Sequence, residues 1–128
     1  MQRHSQQRQA ILDNVRARCD HPSADMIYED VRKIYPNISL GTVYRNLTQL
    51  AENGDILRIS DCERDRFDKT LEPHVHFICD NCDEVEDVFL KTFESELSDI
   101  STRLDCTINN VTVSVHGNCS KCRNIQEN

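Results

Sequence analysis

His74-Val75-His76-Phe77-Ile78-Cys79-Asp80-Asn81-Cys82 reads as a short strand running into a paired-cysteine turn, and it decides how the second half of the chain folds. Two residues between cysteines let both thiolates approach one ion from a tight turn, but one such pair leaves a tetrahedral ion half-coordinated. The second pair, Cys119-Ser120-Lys121-Cys122, stands near the other end of the half. Four thiolates suit a structural zinc that is closed to substrates. Disulfides or redox-active pairs are the alternatives. Zinc here would tie the chain end to the start of a sheet and supply folding energy that a small core cannot. Gly117, just before the second pair, and Asn81, inside the first, are expected to serve the turns.

Around these pairs, Val75 to Ile78 and Val85 to Phe89 read as strands. Phe93, Leu97, Ile100 and Leu104 recur at helical spacing. Thr107 to Val115 alternates, with Val111, Val113 and Val115 on one face of a further strand. Residues 74–128 are therefore expected to form a small α/β unit whose short sheet completes itself across a dimer.

Upstream, residues 69–73 read as a hinge, and residues 1–68 as three helices and a hairpin. Ser5 is expected to cap the first helix, with Ala10, Ile11 and Val15 inward, and His21-Pro22-Ser23 to break it. The second helix carries Met26, Ile27, Val31, Ile34 and Tyr35 as one stripe and stops at Pro36-Asn37. Ser39 caps the third, in which Val43, Leu47 and Leu50 recur, and Gly54 suits the left-handed position after its end. Ile56, Leu57 and Ile59 read as a strand, Asp61 to Arg64 as a turn, and Arg66-Phe67 as the return. That order is a winged helix-turn-helix, which lays its third helix in the DNA major groove. The whole is α+β. Ser39, Thr42, Tyr44, Arg45 and Asn46, at the start of the third helix, are the candidate DNA contacts, with Arg45 able to read a guanine edge. Arg58, Arg64 and Arg66 in the wing are expected to meet phosphate.

Composition narrows the setting. The 128 residues include 7 cysteines, and the polar opening Met1 to Arg8 is expected to carry no signal peptide. No apolar run of membrane-spanning length occurs, so a reducing, cytoplasmic chain is expected, in which paired cysteines hold metal. The net charge of −7 is uneven: through Asp68, ten Lys/Arg oppose eleven Asp/Glu, leaving −1, and from Lys69 on five oppose eleven, leaving −6. A basic face in the first half remains compatible with DNA.

A second metal constellation is less specific. His74 and His76, two apart in a strand, point to one face. With His21, Asp68 and Asp87 they make a nitrogen/oxygen set that suits iron(II) or manganese(II). A solvated strand and a loop histidine account for the same residues. An oxygen-activating enzyme is set aside, because no pocket or general base is suggested beside the set.

In order and spacing, five stretches resemble the ferric uptake regulator family: His21-Pro22-Ser23-Ala24-Asp25, Gly41-Thr42-Val43-Tyr44-Arg45-Asn46-Leu47, Arg66-Phe67-Asp68, His74 through Cys82, and Gly117-Asn118-Cys119-Ser120-Lys121-Cys122. The resemblance spans nearly the whole chain. It implies a homodimer that binds double-stranded operator DNA through an N-terminal winged helix. It also implies a C-terminal dimerisation domain with structural zinc on Cys79, Cys82, Cys119 and Cys122, and regulatory iron or manganese on His21, Asp68, His74, His76 and Asp87. Aspartate at both Asp68 and Asp87 is similar to the peroxide-responsive branch. That branch releases DNA when iron-catalysed oxidation damages its ligand histidines, which here are His21 and His74. A repressor sensing iron, manganese or zinc availability is the alternative. Pro73, Val75 and Val111 stand where the iron-sensing branch often builds a further metal site, so none is expected. Family members carry a helix upstream of the one near Ser5, which this chain is expected to lack.

Overall fold

The computed structural model describes residues 3–60 and 62–126. Met1 and Gln2 of the polar opening and Asp61 of the expected turn lie outside the described residues, as do 127–128. Two compact units divide the chain, Met1–Leu71 and Glu72–Asn128. Among the described residues no helix is long and apolar enough to cross a membrane.

The first unit is a winged helix-turn-helix. Helix α1 spans Arg3–Ala17, α2 Ala24–Val31 and α3 Leu40–Glu52, followed by the antiparallel hairpin β1 (Leu57–Ile59) and β2 (Arg66–Asp68). Ile11, Val15, Ile27, Val31, Val43, Leu47, Leu50 and Phe67 form its buried core. Each such side chain contributes roughly 1.5–3 kcal/mol on burial, so this unit carries its own hydrophobic stability.

Two helix boundaries differ from the sequence reading. Helix α1 already includes Ser5, so Ser5 is not its cap. Helix α2 ends at Val31, and Ile34 is 67% exposed rather than part of the inward stripe. The cause is Pro36. It disfavours helical backbone at Tyr35, and the chain tightens beforehand into a turn in which the Ile34 N–H bonds the Val31 carbonyl at 3.0 Å.

Both ends of α3 follow the sequence closely. Ser39 Oγ accepts from the Thr42 N–H at 3.1 Å. At the other end Gly54 takes φ +82, while the Asp55 N–H bonds Leu50 O at 2.9 Å and the Gly54 N–H bonds Ala51 O at 3.1 Å. Those two reversed bonds are the Schellman arrangement, which only a residue at ease in the left-handed region closes cheaply.

The second unit holds a three-stranded sheet of order β4-β3-β5, made of β3 (Val75–Cys79), β4 (Val85–Val88) and β5 (Val113–Gly117). Strand β3 pairs antiparallel with β4 and parallel with β5. Helix α4 (Phe93–Leu104) links β4 to β5, and α5 (Ser120–Gln126) follows. Strand β5 begins only at Val113. The alternating Thr107 to Thr112 pairs with no strand among the described residues, because one edge of a single sheet offers no partner that far out.

Helix α4 buries none of its residues. Its Ile100 and Leu104 are exposed, as are Val88, Phe89, Leu90 and Val115 of the same unit.

Candidate metal centres and recognition helix

Cys79 ends β3, Cys82 follows in a turn, and Cys119 and Cys122 flank the start of α5. One sulfur from each of the four lies within 4.8 Å of the others. Sulfurs around zinc with bonds near 2.3 Å stand about 3.8 Å apart, and Cys82 Sγ and Cys119 Sγ are 3.9 Å apart. The donor set therefore fits tetrahedral zinc.

The surroundings favour thiolate at Cys79 and oppose it at Cys82 and Cys122. The N–H groups of Cys119 and Cys82 point at Cys79 Sγ, at 3.4 and 3.5 Å, and pull its thiol down to about 6. The Glu84 N–H lowers Cys82, but the neighbouring sulfurs of Cys79 and Cys119, with burial, outweigh it and push that thiol up to about 12. Asn81 Nδ2 donates to Cys122 Sγ at 3.2 Å and lowers it, yet Cys119 and burial leave Cys122 raised. One thiolate forms readily and makes the next harder to form, as expected of sulfurs crowded for a cation.

Asn81 and Gly117 serve differently from the sequence reading. The left-handed residue of the first turn is Asp83, at φ +60, while Asn81 holds a sulfur. A Cβ on Gly117 would stand 3.2 Å from the Phe77 ring, closer than ordinary contact, so Gly117 serves close packing against Phe77 rather than a turn. The Asp80 N–H bonds Gly117 O at 2.7 Å and ties the first cysteine turn to β5.

In the same unit His74 and His76 are buried, with their rings edge to face at 4.4 Å. Asp87 lies opposite His76 in the β3–β4 register. Its Oδ1 stands 3.0 Å from His74 Nε2 and 3.4 Å from His76 Nε2. His74 Nδ1 meets Glu72 O at 2.6 Å, where it donates, leaving Nε2 as the lone-pair nitrogen that a metal takes. Phe89 stacks on the His74 ring at 5.0 Å. Glu86 pairs with Phe77 and projects from the other face, so Asp87 is the carboxylate of this cluster.

In the first unit His21 Nε2 lies 3.5 Å from Asp68 Oδ2, and both residues are buried. Thr70 N–H fixes the other oxygen, Asp68 Oδ1, at 3.0 Å. His21 sits at φ +51 in a loop bridged to β2 by Ser23 and Arg66, with the Phe67 N–H bonding Pro22 O at 2.9 Å. Arg66 clamps this loop: Nη2 donates to Asp20 O at 2.9 Å and Nε to His21 O. The sequence reading gave Arg66 to phosphate. Its fork faces the His21 backbone instead, a role that residue type alone does not reveal.

The recognition helix presents Tyr44 and Arg45 on an exposed face, with Ser39 Oγ 2.9 Å from Thr42 Oγ1 and Arg45 Nη2 3.1 Å from Thr42 Oγ1. Tyr44 OH donates to Asp65 Oδ2 at 2.9 Å and accepts from Arg58 Nη2 at 2.7 Å. Arg58 Nε also meets Asp65 at 2.9 Å, and Arg64 meets Asp25 at 2.7 Å. Asn46 is spent within the fold, accepting from Arg8 Nε at 3.0 Å and donating to Thr42 O at 2.9 Å. The three single cysteines are not buried: Cys19 and Cys106 are exposed and Cys62 is half-buried.

Residues 2–127 match the ferric uptake regulator family. The chain is 30% identical over 119 residues to the peroxide-responsive repressor PerR of Staphylococcus saprophyticus, covering 91% of this chain and 80% of that protein. Among solved structures it is similar to the Campylobacter jejuni peroxide stress regulator, at 30% identity and TM-score 0.78, over 93% of this chain and 90% of that one. It is also similar to the Vibrio cholerae ferric uptake regulator, at 27% identity and TM-score 0.66, over 88% of each. A match that runs through both units and both cysteine pairs makes this chain a member of the ferric uptake regulator family, whose proteins are metal-sensing transcriptional repressors.

Proposed function

We propose that this protein is a peroxide-responsive repressor. In this reading His21 and Asp68 of the first unit and His74, His76 and Asp87 of the second take one iron(II) or manganese(II) ion between them, with residues 69–73 as the hinge. The observation that carries it is the second-unit cluster, in which Nε2 of two buried imidazoles lies 3.0 and 3.4 Å from one carboxylate oxygen, Asp87 Oδ1. Three imidazoles and two carboxylates suit iron or manganese rather than the soft-ligand zinc site. Two donors are too few to hold such an ion and three hold it weakly, so an ion that prefers all five selects the arrangement in which the units supply them together.

DNA binding falls to α3, with Ser39, Thr42, Tyr44 and Arg45 at the groove and Asn46 as a brace. The exposed apolar residues of α4, Phe89, Leu90 and Val115 support a homodimer, since a free surface of this kind is unfavourable in water. Zinc on the four cysteines holds that half in shape.

When bound, iron(II) supplies the electrons that turn peroxide into an oxidant of an adjacent ring. The chain's part is to hold His21 and His74 beside it, and an oxidised imidazole no longer offers its lone pair. Similarity to a staphylococcal PerR and to the Campylobacter regulator supports peroxide as the signal. Fluorescence anisotropy with operator DNA tests this. Manganese or iron should each induce binding, and brief peroxide should abolish it for the iron-loaded protein alone. Binding retained by both would favour a metal-availability sensor, and binding lost equally from both would place the oxidation on a group that needs no iron, such as the cysteine thiolates.

A further inference from the structure

Ser114 lies beside His76 in the parallel β3–β5 register, and His76 faces Asp87 across the antiparallel β3–β4 pair. Residues paired in register project from the same face, and neighbouring strands are about 4.8 Å apart. Asp87, His76 and Ser114 therefore form one row across the sheet, on the face to which His74 also belongs. Val113 and Val115, either side of Ser114, project from the opposite face. The Ser114 hydroxyl oxygen is buried and has no hydrogen-bond partner among the described residues. Buried hydroxyls are nearly always satisfied, and one left unmet is costly. An alanine would fill this strand position without that cost.

We propose that Ser114 is a positioning residue of the regulatory centre, whose hydroxyl holds a small hydroxylic ligand, water or hydrogen peroxide, beside the His76–Asp87 pair. This rests on the regulatory-centre reading above. A hydroxyl both donates and accepts, which is the complement that either ligand needs. The ligand's other hydrogen-bonding positions then face the neighbouring His76, which itself meets Asp87. Outer partners of this kind tune a metal site without touching the ion.

The test uses the full-length zinc-loaded protein as wild type, Ser114→Ala, Ser114→Thr and His76→Ala. Manganese affinity is read by calorimetry, histidine oxidation of the iron-loaded protein by mass spectrometry against peroxide dose, and stability by the melting temperature without regulatory metal. If water is held, Ser114→Ala binds manganese about tenfold more weakly. If peroxide is held, manganese affinity survives and about tenfold more peroxide is needed for equal oxidation. Ser114→Thr, which keeps the hydroxyl, restores whichever is lost. The melting temperature of Ser114→Ala without regulatory metal stays near wild type, because the hydroxyl bonds no other described residue of the fold. The inference is overturned if Ser114→Ala changes neither binding nor oxidation, or if a fall in melting temperature accompanies the loss and marks Ser114 as merely structural. Undiminished manganese binding by His76→Ala would overturn the regulatory centre itself and this inference with it, whereas loss there with an unaffected Ser114→Ala overturns the inference alone.

Discussion

Cys119→Ser should separate the two halves of the molecule in a single melt. What the substitution removes is the Cys119 sulfur, which stands 3.9 Å from Cys82 Sγ in the four-cysteine cluster. A serine hydroxyl stays protonated and cannot replace a thiolate. Structural zinc sites of this class contribute about 10–16 kcal/mol of apparent binding free energy at neutral pH, comparable to the entire 5–15 kcal/mol or so that stabilises a typical domain. The second unit has little else, since among the described residues its buried aliphatic side chains are Val75, Ile78 and Val85, and α4 buries nothing. Losing even about 5 kcal/mol moves a melting temperature by roughly 20 °C or more in a unit this small. Calorimetry should therefore show the second-unit transition displaced by at least about 20 °C or absent, with the first-unit transition retained by its own core. Zinc per chain, by atomic emission, should fall in parallel. Asp87→Ala is the control and should leave zinc content and both transitions near wild type while abolishing manganese binding. A Cys119→Ser protein without zinc whose second unit melts within about 5 °C of wild type would refute the reasoning.

Three further outcomes follow from the same geometry. At pH 7 the Cys79 thiol, held down to about 6, is already mostly thiolate, whereas Cys82 at about 12 and the raised Cys122 are protonated. Zinc uptake by the reduced metal-free protein should thus release at least about two protons at pH 7 and at least about three below pH 6, so zinc is lost as pH falls; indicator titration showing fewer than one would contradict this thiol pattern. Arg66→Gln should slacken the His21 loop and weaken manganese binding about tenfold or more, with zinc content unchanged; calorimetry showing full manganese affinity, together with a shallower salt dependence of DNA binding, would return Arg66 to phosphate contact. Asp65→Asn should free Arg58 for phosphate, tightening DNA binding a few-fold at low salt and steepening the log–log salt slope by about 0.9; an unchanged slope in anisotropy titrations would show that Arg58 never leaves Asp65.

The sequence is most legible where one residue type has one physical use. Ser39 and Gly54 mark the ends of α3 because a hydroxyl and a missing Cβ are what those positions need, and both appear where expected. The four cysteines were legible by spacing, as was the face shared by His74 and His76. Side-chain direction beyond the nearest few residues was not. Arg66 turns to the His21 carbonyl because the loop lies against β2, a tertiary fact with no local signature. Ile34 fits a helical stripe by periodicity, but Pro36 ends α2 a turn early and leaves it in solvent. Strand alternation began at Thr107, yet pairing begins at Val113, since alternation marks the capacity to pair and not the presence of a partner. Ser114 carried no signal at all, because its neighbours across two strands became visible only with the sheet register.

In the proposed function, iron held by His21, Asp68, His74, His76 and Asp87 makes those histidines the sensor. Mass spectrometry of the iron-loaded protein after brief peroxide exposure, beside a manganese-loaded control, tests it most directly. One added oxygen is expected on His21 or His74 with iron and none with manganese. Unmodified histidines in a protein that demonstrably still holds its iron would contradict it.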